Sequence, residues 1–422
     1  MAINPPLAVV ALAAQLRHAG FEAWCVGGAV RDALLGHAHL DWDLATSARP
    51  QDIQRVFKRT VPVGIEFGTV GVFDVDGVMH EVTTFRKDVK TDGRHAVVEF
   101  GVSLDDDLAR RDFTINAIAY EPERGELRDP YEGQADLKRK IVRAVGVPGE
   151  RMREDRLRAL RGIRFASRFD FEIEPDTWRA IVASAPHMDR LSAERVKQEL
   201  EKTMEQVERP SAALTRWRES GALAVLVPAL TSAPAERFSA LDRLPRAADD
   251  ADEGTAKGAT LSRLAMLFFG DEPGAVERAT KALKFSNADG AWIVQLARAR
   301  REVGSAIGAA CAADAPVPDA QLRRWVATIG RMRTDTFFRL SAALNPAAES
   351  LRERAVAIAF RDPIEIADLA VDGEDLRAAG VPGGPPIGRV LKALLEQVIE
   401  DPALNTVAQL SALAKTIVAR QS

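Results

Sequence analysis

Val26-Gly27-Gly28-Ala29-Val30-Arg31-Asp32 is the stretch of this 422-residue chain that decides how its first part folds. Residues 23–26 predict a short strand, and residues 29–35 predict a helix that Gly36 ends. Two glycines at a strand-to-helix turn let a phosphate approach the backbone, while the helix start offers N–H donors and a positive dipole. Arg31 lies one turn into the helix and can hold a phosphate with two hydrogen bonds. The stretch therefore predicts a site for a phosphorylated ligand, built on Gly27, Gly28 and Arg31.

Two carboxylates follow closely, in Asp41-Trp42-Asp43, within residues 40–44, which predict a strand. Because side chains alternate along a strand, Asp41 and Asp43 are expected to face the same side. Paired carboxylates beside a phosphate cradle are what two-Mg²⁺ phosphoryl transfer requires. Each feature is weak alone, since glycine turns are common and most Asp-x-Asp pairs lie on surfaces. Their combination predicts a nucleotide site with Asp41 and Asp43 as magnesium ligands.

The rest of the chain separates into a mixed part and a helical part near Val145. In the first part we expect a helix, a hairpin that turns at Asp76-Gly77, and a second helix, over residues 7–19, 70–85 and 111–120 respectively. Beyond Val145 the strand patterns fade, and helices are expected over residues 152–169, 193–204 and most of the remaining sequence. Residues 247–258 are acidic and rich in Gly and Ala, which predicts a mobile loop. The pattern is that of an α/β head followed by a long helical body.

Composition and charge exclude several classes of protein. With 46% hydrophobic and 28% charged residues, the chain is expected to be globular rather than disordered. Two cysteines cannot form a disulfide scaffold, and the lack of histidine after His187 argues against a zinc site in the second half. No apolar run reaches the length of a membrane helix and no secretory signal is apparent, so we expect a cytoplasmic protein. The net charge is −4, yet residues 138–168 carry eleven Lys or Arg against three acidic residues, which indicates one dedicated anion site.

Residues 27–36 (Gly-Gly-Ala-Val-Arg-Asp-Ala-Leu-Leu-Gly) and 41–46 (Asp-Trp-Asp-Leu-Ala-Thr) resemble the signature of the class II tRNA nucleotidyltransferases, the CCA-adding enzymes. Their relatives, the bacterial poly(A) polymerases, share that signature. The resemblance continues through Asp129-Pro130, Gly133 and Asp136-Leu137 to about Met204. It implies an α+β nucleotidyltransferase head of the DNA polymerase beta-type superfamily, followed by an all-α neck, body and tail. The expected bounds are 1–145 for the catalytic head, 146–210 for the nucleotide-selecting neck and 211–422 for the tRNA-binding body and tail.

The resemblance also assigns residues to the head site. Asp41 and Asp43 would hold Mg²⁺ and act in catalysis, and Glu81 is the candidate third carboxylate, against the alternative of a surface glutamate. The segment Arg110-Arg111-Asp112 would contact the nucleotide and its ribose, with Arg111 preferred over Arg110 as the nucleotide ligand. Asn116 follows Asp112 by one helical turn and would share its face. From the residues alone, this segment would be an ordinary amphipathic helix start.

The basic segment contains Glu154-Asp155-Arg156-Leu157-Arg158, and Arg161 and Arg164 follow it at steps of three along one predicted helix. Such steps form a climbing ridge, because each drifts about 60° around the helix axis. Asp155 accepts hydrogen bonds and Arg158 donates them, so the pair can mimic the edge of a complementary base. The resemblance implies that this helix selects CTP or ATP in place of a template strand. The plain alternative is an ion pair at i,i+3 on a helix surface.

The implied reaction is attack by the 3′-hydroxyl of a tRNA on the α-phosphate of CTP or ATP, which adds CMP or AMP and releases pyrophosphate. Two alternatives stay open: a poly(A) polymerase of the same family, and a non-catalytic RNA-binding module. Poly(A) polymerases typically carry a long basic C-terminal tail that this sequence does not show, and residues 88–95 resemble the flexible loop of CCA-adding enzymes. Intact Asp41 and Asp43 argue against a non-catalytic module. We expect no membrane or DNA partner, and the sequence leaves the oligomeric state open.

Overall fold

The computed structural model describes residues 3–37, 41–91, 96–247, 253–313 and 316–421. Within them the chain forms two compact units, one of residues 1–203 with 207–228, the other of residues 204–206 with 229–422. The expected head and nearly all of the expected neck lie in the first unit. A boundary between head and neck near residue 145 stays a prediction.

The first unit is organised around a seven-stranded sheet with strand order β3-β4-β5-β2-β1-β8-β9. Strands β2 and β5 pair in parallel, and the other neighbours in this sheet pair antiparallel. Two further pairs, β6 with β7 and β10 with β11, form small ribbons. The strands are β1 (Ala23–Val26), β2 (Asp43–Thr46), β3 (Thr60–Gly64), β4 (Thr69–Phe73), β5 (Met79–Thr84), β6 (Arg86–Thr91), β7 (Ala96–Phe100), β8 (Ala119–Glu121), β9 (Glu126–Arg128), β10 (Ile141–Val142) and β11 (Glu172–Ile173).

Helices cover the sheet and continue beyond it. Those of the first unit are α1 (Leu7–His18), α2 (Gly28–Leu34), α3 (Pro50–Val56), α4 (Leu104–Ala109), α5 (Gly133–Arg139), α6 (Pro148–Glu154), α7 (Leu157–Phe169), α8 (Pro175–Ser184), α9 (Ala193–Gln206, its last three residues counted with the second unit), α10 (Pro210–Glu219) and α11 (Ala222–Leu226). Helices α1 and α3 pack on one side of the sheet. On the other side, Leu104 and Leu108 of α4 join Val26, Ala45 and Phe85 in a buried core. The predicted α+β head followed by helices is confirmed.

Besides the strand expected over residues 40–44, which forms as β2 over Asp43–Thr46, three predicted elements differ from the structure. The helix expected over residues 111–120 is wrong: only a 3₁₀ turn, Thr114–Asn116, forms there, and β8 follows it. The helix expected over residues 152–169 is broken at Asp155, whose φ of −149° and ψ of 108° are extended. Glu253 begins a helix, so the end of the predicted 247–258 loop is helical, and residues 248–252 lie outside the described residues. The first two corrections change the surroundings of candidate site residues.

The second unit is helical throughout its described residues apart from short connections. Its helices are α12 (Ala235–Leu241), α13 (Glu253–Leu267), α14 (Pro273–Ala282), α15 (Asn287–Ala312), α16 (Asp319–Ile329), α17 (Thr334–Leu344), α18 (Glu349–Arg361), α19 (Gly373–Ala378), α20 (Pro385–Glu400) and α21 (Val407–Gln421). Buried arginines tie these helices together. Arg323 of α16 donates to the carbonyl oxygens of Ile399 and Glu400, which satisfies the C-terminal end of α20. In the described part of the chain, no helix has the length and apolar character needed to cross a bilayer.

Candidate active site

The glycine turn and the carboxylates meet at the centre of the sheet. Strand β1 ends at Val26, which pairs with Asp43 at the start of β2, so Gly27 follows directly beside the carboxylate. Gly27 has a φ of 76°, a left-handed conformation that glycine adopts without strain. A Cβ at this position would lie 3.0 Å from Nη1 of Arg111. The positive φ therefore favours glycine at this turn, and the Arg111 guanidinium lies next to it.

Asp43 is surrounded by acidic groups. Burial and the neighbouring carboxylates of Asp41 and Glu81 raise the pKa of Asp43 to about 7, while Arg111 and His80 offset part of the rise. Leu44 pairs with Val82 in parallel register, so Glu81 lies on the same side of the sheet as Asp43. Such crowding fits a divalent cation, because its charge would stabilise all the ionised carboxylates.

The carboxylates around Asp43 suit a divalent cation by their charge, but they are not already arranged as a set of metal ligands. Among the described residues, no three His, Cys, Asp or Glu side chains are already arranged around a common metal position. Asp41 is exposed and precedes β2, whereas it was expected on the strand itself. The two carboxylates that could hold a metal therefore differ in setting: Asp43 is fixed by the sheet, and Asp41 lies at its edge.

A buried aspartate holds the two arginines of the Arg110-Arg111 pair. Asp107 of α4 is 1% exposed and forms ion pairs with Arg110 at 2.9 Å and Arg111 at 3.3 Å. Burial alone would raise the pKa of Asp107, but the two guanidinium groups bring it below its ordinary value. The Nε of Arg111 is buried without a hydrogen-bond partner in the described structure. Sequence reasoning missed Asp107, although its i,i+3 and i,i+4 spacing to the arginines was a usable signal.

Asp112 and Asn116 form a buried hydrogen-bonded network rather than a helix face. Oδ1 of Asp112 accepts from the Asn116 amide at 2.9 Å, and its Oδ2 accepts from Nε of Arg161 at 2.7 Å. Oδ1 of Asn116 in turn accepts from Nη1 of Arg31 at 2.6 Å. Although burial would raise it, Arg161 and Asn116 bring the pKa of Asp112 down to about 2. The network links the 3₁₀ turn to both α2 and α7.

Arg31 is more deeply buried than expected for an arginine whose guanidinium is free to bind a phosphate. It is 3% exposed, and its Nε donates to Oδ1 of Asp32 at 2.7 Å. Its guanidinium also lies 5.1 Å from the ring centre of Phe165 and 4.7 Å from that of Phe169. In this conformation both hydrogen-bonding edges of Arg31 are engaged by protein groups. Its part in phosphate binding stays a prediction.

The basic segment is split by the bend at Asp155. Asp155 accepts from the backbone N–H of Leu157 at 3.1 Å and from Nη2 of Arg195 on α9 at 2.7 Å. Arg158 instead donates to Glu154 at 2.7 Å and to the carbonyl oxygen of Arg110 at 2.9 Å. The expected continuous ridge is therefore wrong at its first member, and the alternative, an ion pair between Asp155 and Arg158, does not form either, since their partners are Arg195 and Glu154.

The other two arginines of the predicted ridge, Arg161 and Arg164, bind buried carboxylates. Arg161 pairs with Asp112, and Arg164 is 3% exposed and donates to Glu199 of α9. Both guanidinium groups lie over the ring of Phe165, at 5.3 and 4.5 Å from its centre. Sequence reasoning missed Phe165 as a shared cation–π partner, since nothing in the spacing singles it out. These contacts join the first turns of α9 to the residues around the glycine turn.

The residues from Asp129 to Leu137 support the 3₁₀ turn. A Cβ at Gly133 would lie 2.2 Å from the carbonyl oxygen of Thr114, so α5 approaches the turn as closely as glycine allows. Asp136 accepts from the Thr114 hydroxyl at 2.6 Å and pairs with Arg143. Gly133 and Asp136, which belong to the part of the sequence that resembles the family, therefore stabilise the 3₁₀ turn that carries Asn116.

Comparison with known proteins gives consistent matches. Residues 23–143 match the family described as "Poly A polymerase head domain", and residues 170–233 match "Probable RNA and SrmB- binding site of polymerase A". A CCA-adding enzyme of Geobacillus kaustophilus is 35% identical over 93% of this chain and 92% of its own length. A CCA-adding enzyme of Streptococcus suis is 47% identical over 45% of this chain and 47% of its own. The crystal structure of the Bacillus stearothermophilus CCA-adding enzyme in complex with CTP superposes with a TM-score of 0.71, at 30% identity and 99% coverage of both chains.

Proposed function

The chain belongs to the CCA-adding enzymes, and from this premise we propose that it adds CMP and AMP, without a nucleic-acid template, to the 3′ end of tRNA. In each addition the 3′-oxygen of the RNA bonds to the α-phosphorus of CTP or ATP, and pyrophosphate leaves. The observation that carries the proposal is the juxtaposition of Gly27 and Arg111 with Asp43. A phosphate cradle beside a carboxylate cluster is the arrangement that nucleotidyl transfer needs.

Asp41 and Asp43 are proposed to hold Mg²⁺, with Glu81 as the third carboxylate of the cluster. When bound, Mg²⁺ would lower the pKa of the RNA 3′-hydroxyl and screen the charge of the triphosphate. Asp43 keeps its position through the β1–β2 pairing, so the reacting groups approach a fixed point on the sheet. The raised pKa of Asp43 supports this assignment, since a carboxylate in such surroundings gains most from a cation.

The nucleotide is proposed to lie between the glycine turn and the 3₁₀ turn. Gly27 and Gly28 let the triphosphate approach the backbone. The positively charged guanidinium of Arg111, which lies next to Gly27, would then interact with the phosphates. Arg110, Asp112 and Asn116 would surround the sugar. Arg31 would reach the phosphates only after releasing Asn116 or Asp32, and otherwise it positions the turn.

Base selection is proposed to depend on Asp155 and Arg158, with Arg161 and Arg164 holding the helix that carries Arg158. Asp155 supplies carboxylate oxygens and Arg158 supplies N–H donors, which together match the polar edge of a pyrimidine or purine. Their contacts to Arg195 and Glu154 would have to be exchanged for contacts to a base. Residues 1–145, 146–210 and 211–422 are proposed to act as catalytic head, selecting neck and tRNA-binding body.

A cytoplasmic location is part of the proposal. It is supported by the two cysteines, Cys25 and Cys311, which are both free thiols, as expected in a reducing compartment.

Incubation of the purified protein with Mg²⁺, labelled CTP or ATP, and tRNA that lacks its terminal CCA tests the function. We expect incorporation of CMP and then AMP, ending after one A. Continued AMP addition would instead identify a poly(A) polymerase, and RNA binding without incorporation would identify a non-catalytic module.

A further inference from the structure

In the described part of the structure, one face of the sheet is open outward from the carboxylate cluster, where Val63 and Met79 are partly exposed. Val61, Gly71 and Glu81 stand in register across β3, β4 and β5. The Leu44–Val82 pairing places Asp43 in the same row on β2. Residues in register across a sheet share a face, so this row runs from the catalytic carboxylate to the edge strand.

The outer part of that row is apolar. A Cβ at Gly71 would lie 2.8 Å from Sδ of Met79, 2.8 Å from Cγ2 of Val61 and 2.9 Å from Cγ2 of Val63. Three apolar side chains thus converge over the glycine, and Val63 and Met79 remain 44% and 41% exposed. The opposite face of the same strands is buried, with Val70 and Val82 at 0%. We call Val61, Val63, Gly71 and Met79 the apolar platform.

A basic group borders the platform. Phe73 pairs with Met79, so its ring lies on the same face, and the guanidinium carbon of Arg59 lies 5.4 Å from the centre of that ring. Arg59 and the adjacent Lys58 are exposed. From Asp43 outward, the open face therefore offers carboxylates, then an apolar surface, then positive charge.

We infer that the apolar platform receives the unpaired 3′ end of the RNA substrate. This inference rests on the proposed function and adds where the second substrate lies. The glycine turn and Arg111 flank Asp43 on the β1 side, which leaves the β5 side for the group that attacks. Every base has a π-face that stacks on aromatic side chains whatever the sequence, and Phe73 lies beside Met79 on this face with Arg59 at its rim to meet the phosphates.

The dimensions of the open face agree with this occupant. Three strand spacings separate β2 from β3, which is about 14 Å at the usual spacing within a sheet. Stacked nucleotides advance about 3.4 Å each, so a short run of them spans the platform and brings the terminal hydroxyl to Asp43 and Glu81. A triphosphate, by contrast, gains nothing from an apolar surface bordered by carboxylates.

The test compares steady-state kinetics of Val63→Asp and Met79→Gln with those of the wild-type enzyme, using tRNA that lacks CCA, and CTP. We expect the KM for RNA to rise by roughly tenfold, as lost base stacking requires, while the KM for CTP stays unchanged. Leu7→Asp is the matched control, since Leu7 is 88% exposed at the start of α1, away from the platform. Circular dichroism of each variant checks folding, and Met79→Gln keeps the test intact if Val63→Asp does not fold.

The salt dependence of RNA binding in Arg59 variants is a second measurement, and it would not change if Arg59 only stabilised the fold. Arg59→Ala should lower the slope of log KM for RNA against log salt concentration by about 0.7, the value for one phosphate contact to a single strand, and Arg59→Lys should restore it. Photo-crosslinking with 4-thiouridine as the last nucleotide should label Met79 or its neighbours on the platform.

Specific results would overturn the inference. These are an unchanged KM for RNA in both platform variants, an equal rise in the KM for CTP, or an altered oligomeric state with normal RNA kinetics, which would assign the platform to a second copy of the chain. If the wild-type protein crosslinks RNA on the platform but adds no nucleotide, the proposed function fails and the platform assignment stands.

Discussion

Arg195 donates a hydrogen bond from Nη2 to Oδ2 of Asp155 at 2.7 Å, across 40 residues of sequence. The contact fastens α9 to the bend between α6 and α7, while Oδ1 of Asp155 accepts from the N–H of Leu157 inside that bend. Asp155 is therefore held in place independently of Arg158, three residues further along the chain. This arrangement presents an acceptor and a donor from two different elements, so each can be altered alone.

Exchanging the polarity of the two residues, with Asp155→Arg and Arg158→Asp, should relax or invert selection among CTP, ATP, UTP and GTP. A buried donor or acceptor left without a partner costs about 1–3 kcal/mol, which is enough to reject a mismatched base. The measurement is kcat/KM for all four nucleotides on tRNA that lacks CCA.

Variants of the neighbouring arginines serve as controls for the Asp155 and Arg158 variants. Arg161→Ala and Arg164→Ala should raise the KM for both CTP and ATP without changing the choice between them, since these side chains bind Asp112 and Glu199 inside the protein. Arg179→Ala, on the exposed ion pair with Asp176, should change neither property. Unaltered discrimination in the Asp155 and Arg158 variants would refute the selecting role.

Asp41→Ala or Asp43→Ala should abolish the transfer of both CMP and AMP while RNA binding stays nearly intact. The carboxylate cluster serves every addition, whereas RNA contacts are expected mainly from the helical body. Incorporation of labelled nucleotide and filter binding of tRNA measure the two properties separately. Near wild-type incorporation by the double variant would show that the cluster is not catalytic.

Shortening residues 88–95 should impair AMP addition more than CMP addition, since this segment resembles the loop that helps one site change from CTP to ATP. Residues 88–91 belong to β6, and residues 92–95 lie outside the described residues. Rates of the C and A additions are compared on tRNA substrates that end before each step. Equal losses for both would indicate that the segment only connects β6 to β7.

Local patterns predicted the centre of the head well. The glycine turn, β1 and α2 follow from neighbouring residues, and the Val26–Asp43 pairing then brings the carboxylate to the turn. The segment 111–120 could not be predicted in this way. Residues 112–119 are buried on all sides, and the partners of Asn116 and Asp112 include Arg31 and Arg161, which are 85 and 49 residues away.

The bend at Asp155 also depends on a contact that is distant in sequence, so local patterns did not predict it. No proline or glycine marks it in residues 150–160, and its helical periodicity is undisturbed. The extended backbone is stabilised by a side chain from α9, together with the local Leu157 contact. Propensity alone favours a continuous helix here, and a tertiary hydrogen bond overrides it. The arginines of the segment were predicted as a group, but not which partner each one binds.

The Asp112–Arg161 pair should make the first unit sensitive to acid. The pKa of Asp112 is about 2 when folded, against an ordinary value of 3.8, because Arg161 and Asn116 outweigh the cost of its burial. A lowered folded pKa stabilises the protein above the unfolded value, and this stabilisation is lost as the pH falls from about 4 to about 2. Such a shift corresponds to about 2 kcal/mol at neutral pH.

Asp112→Asn keeps the shape of the side chain but removes its charge, so it should lower the free energy of unfolding by about 2 kcal/mol at pH 7. The difference from wild type should shrink steadily below about pH 4, as wild-type Asp112 becomes protonated. Urea unfolding at several pH values measures both effects. Asp105→Asn is the matched control, because the Asp105–Arg128 pair is solvent-exposed and such pairs contribute little. If the two variants lose stability equally, or if the Asp112→Asn deficit does not depend on pH, then Arg161 does not hold Asp112 ionised and the network around Asn116 must be stabilised by packing instead.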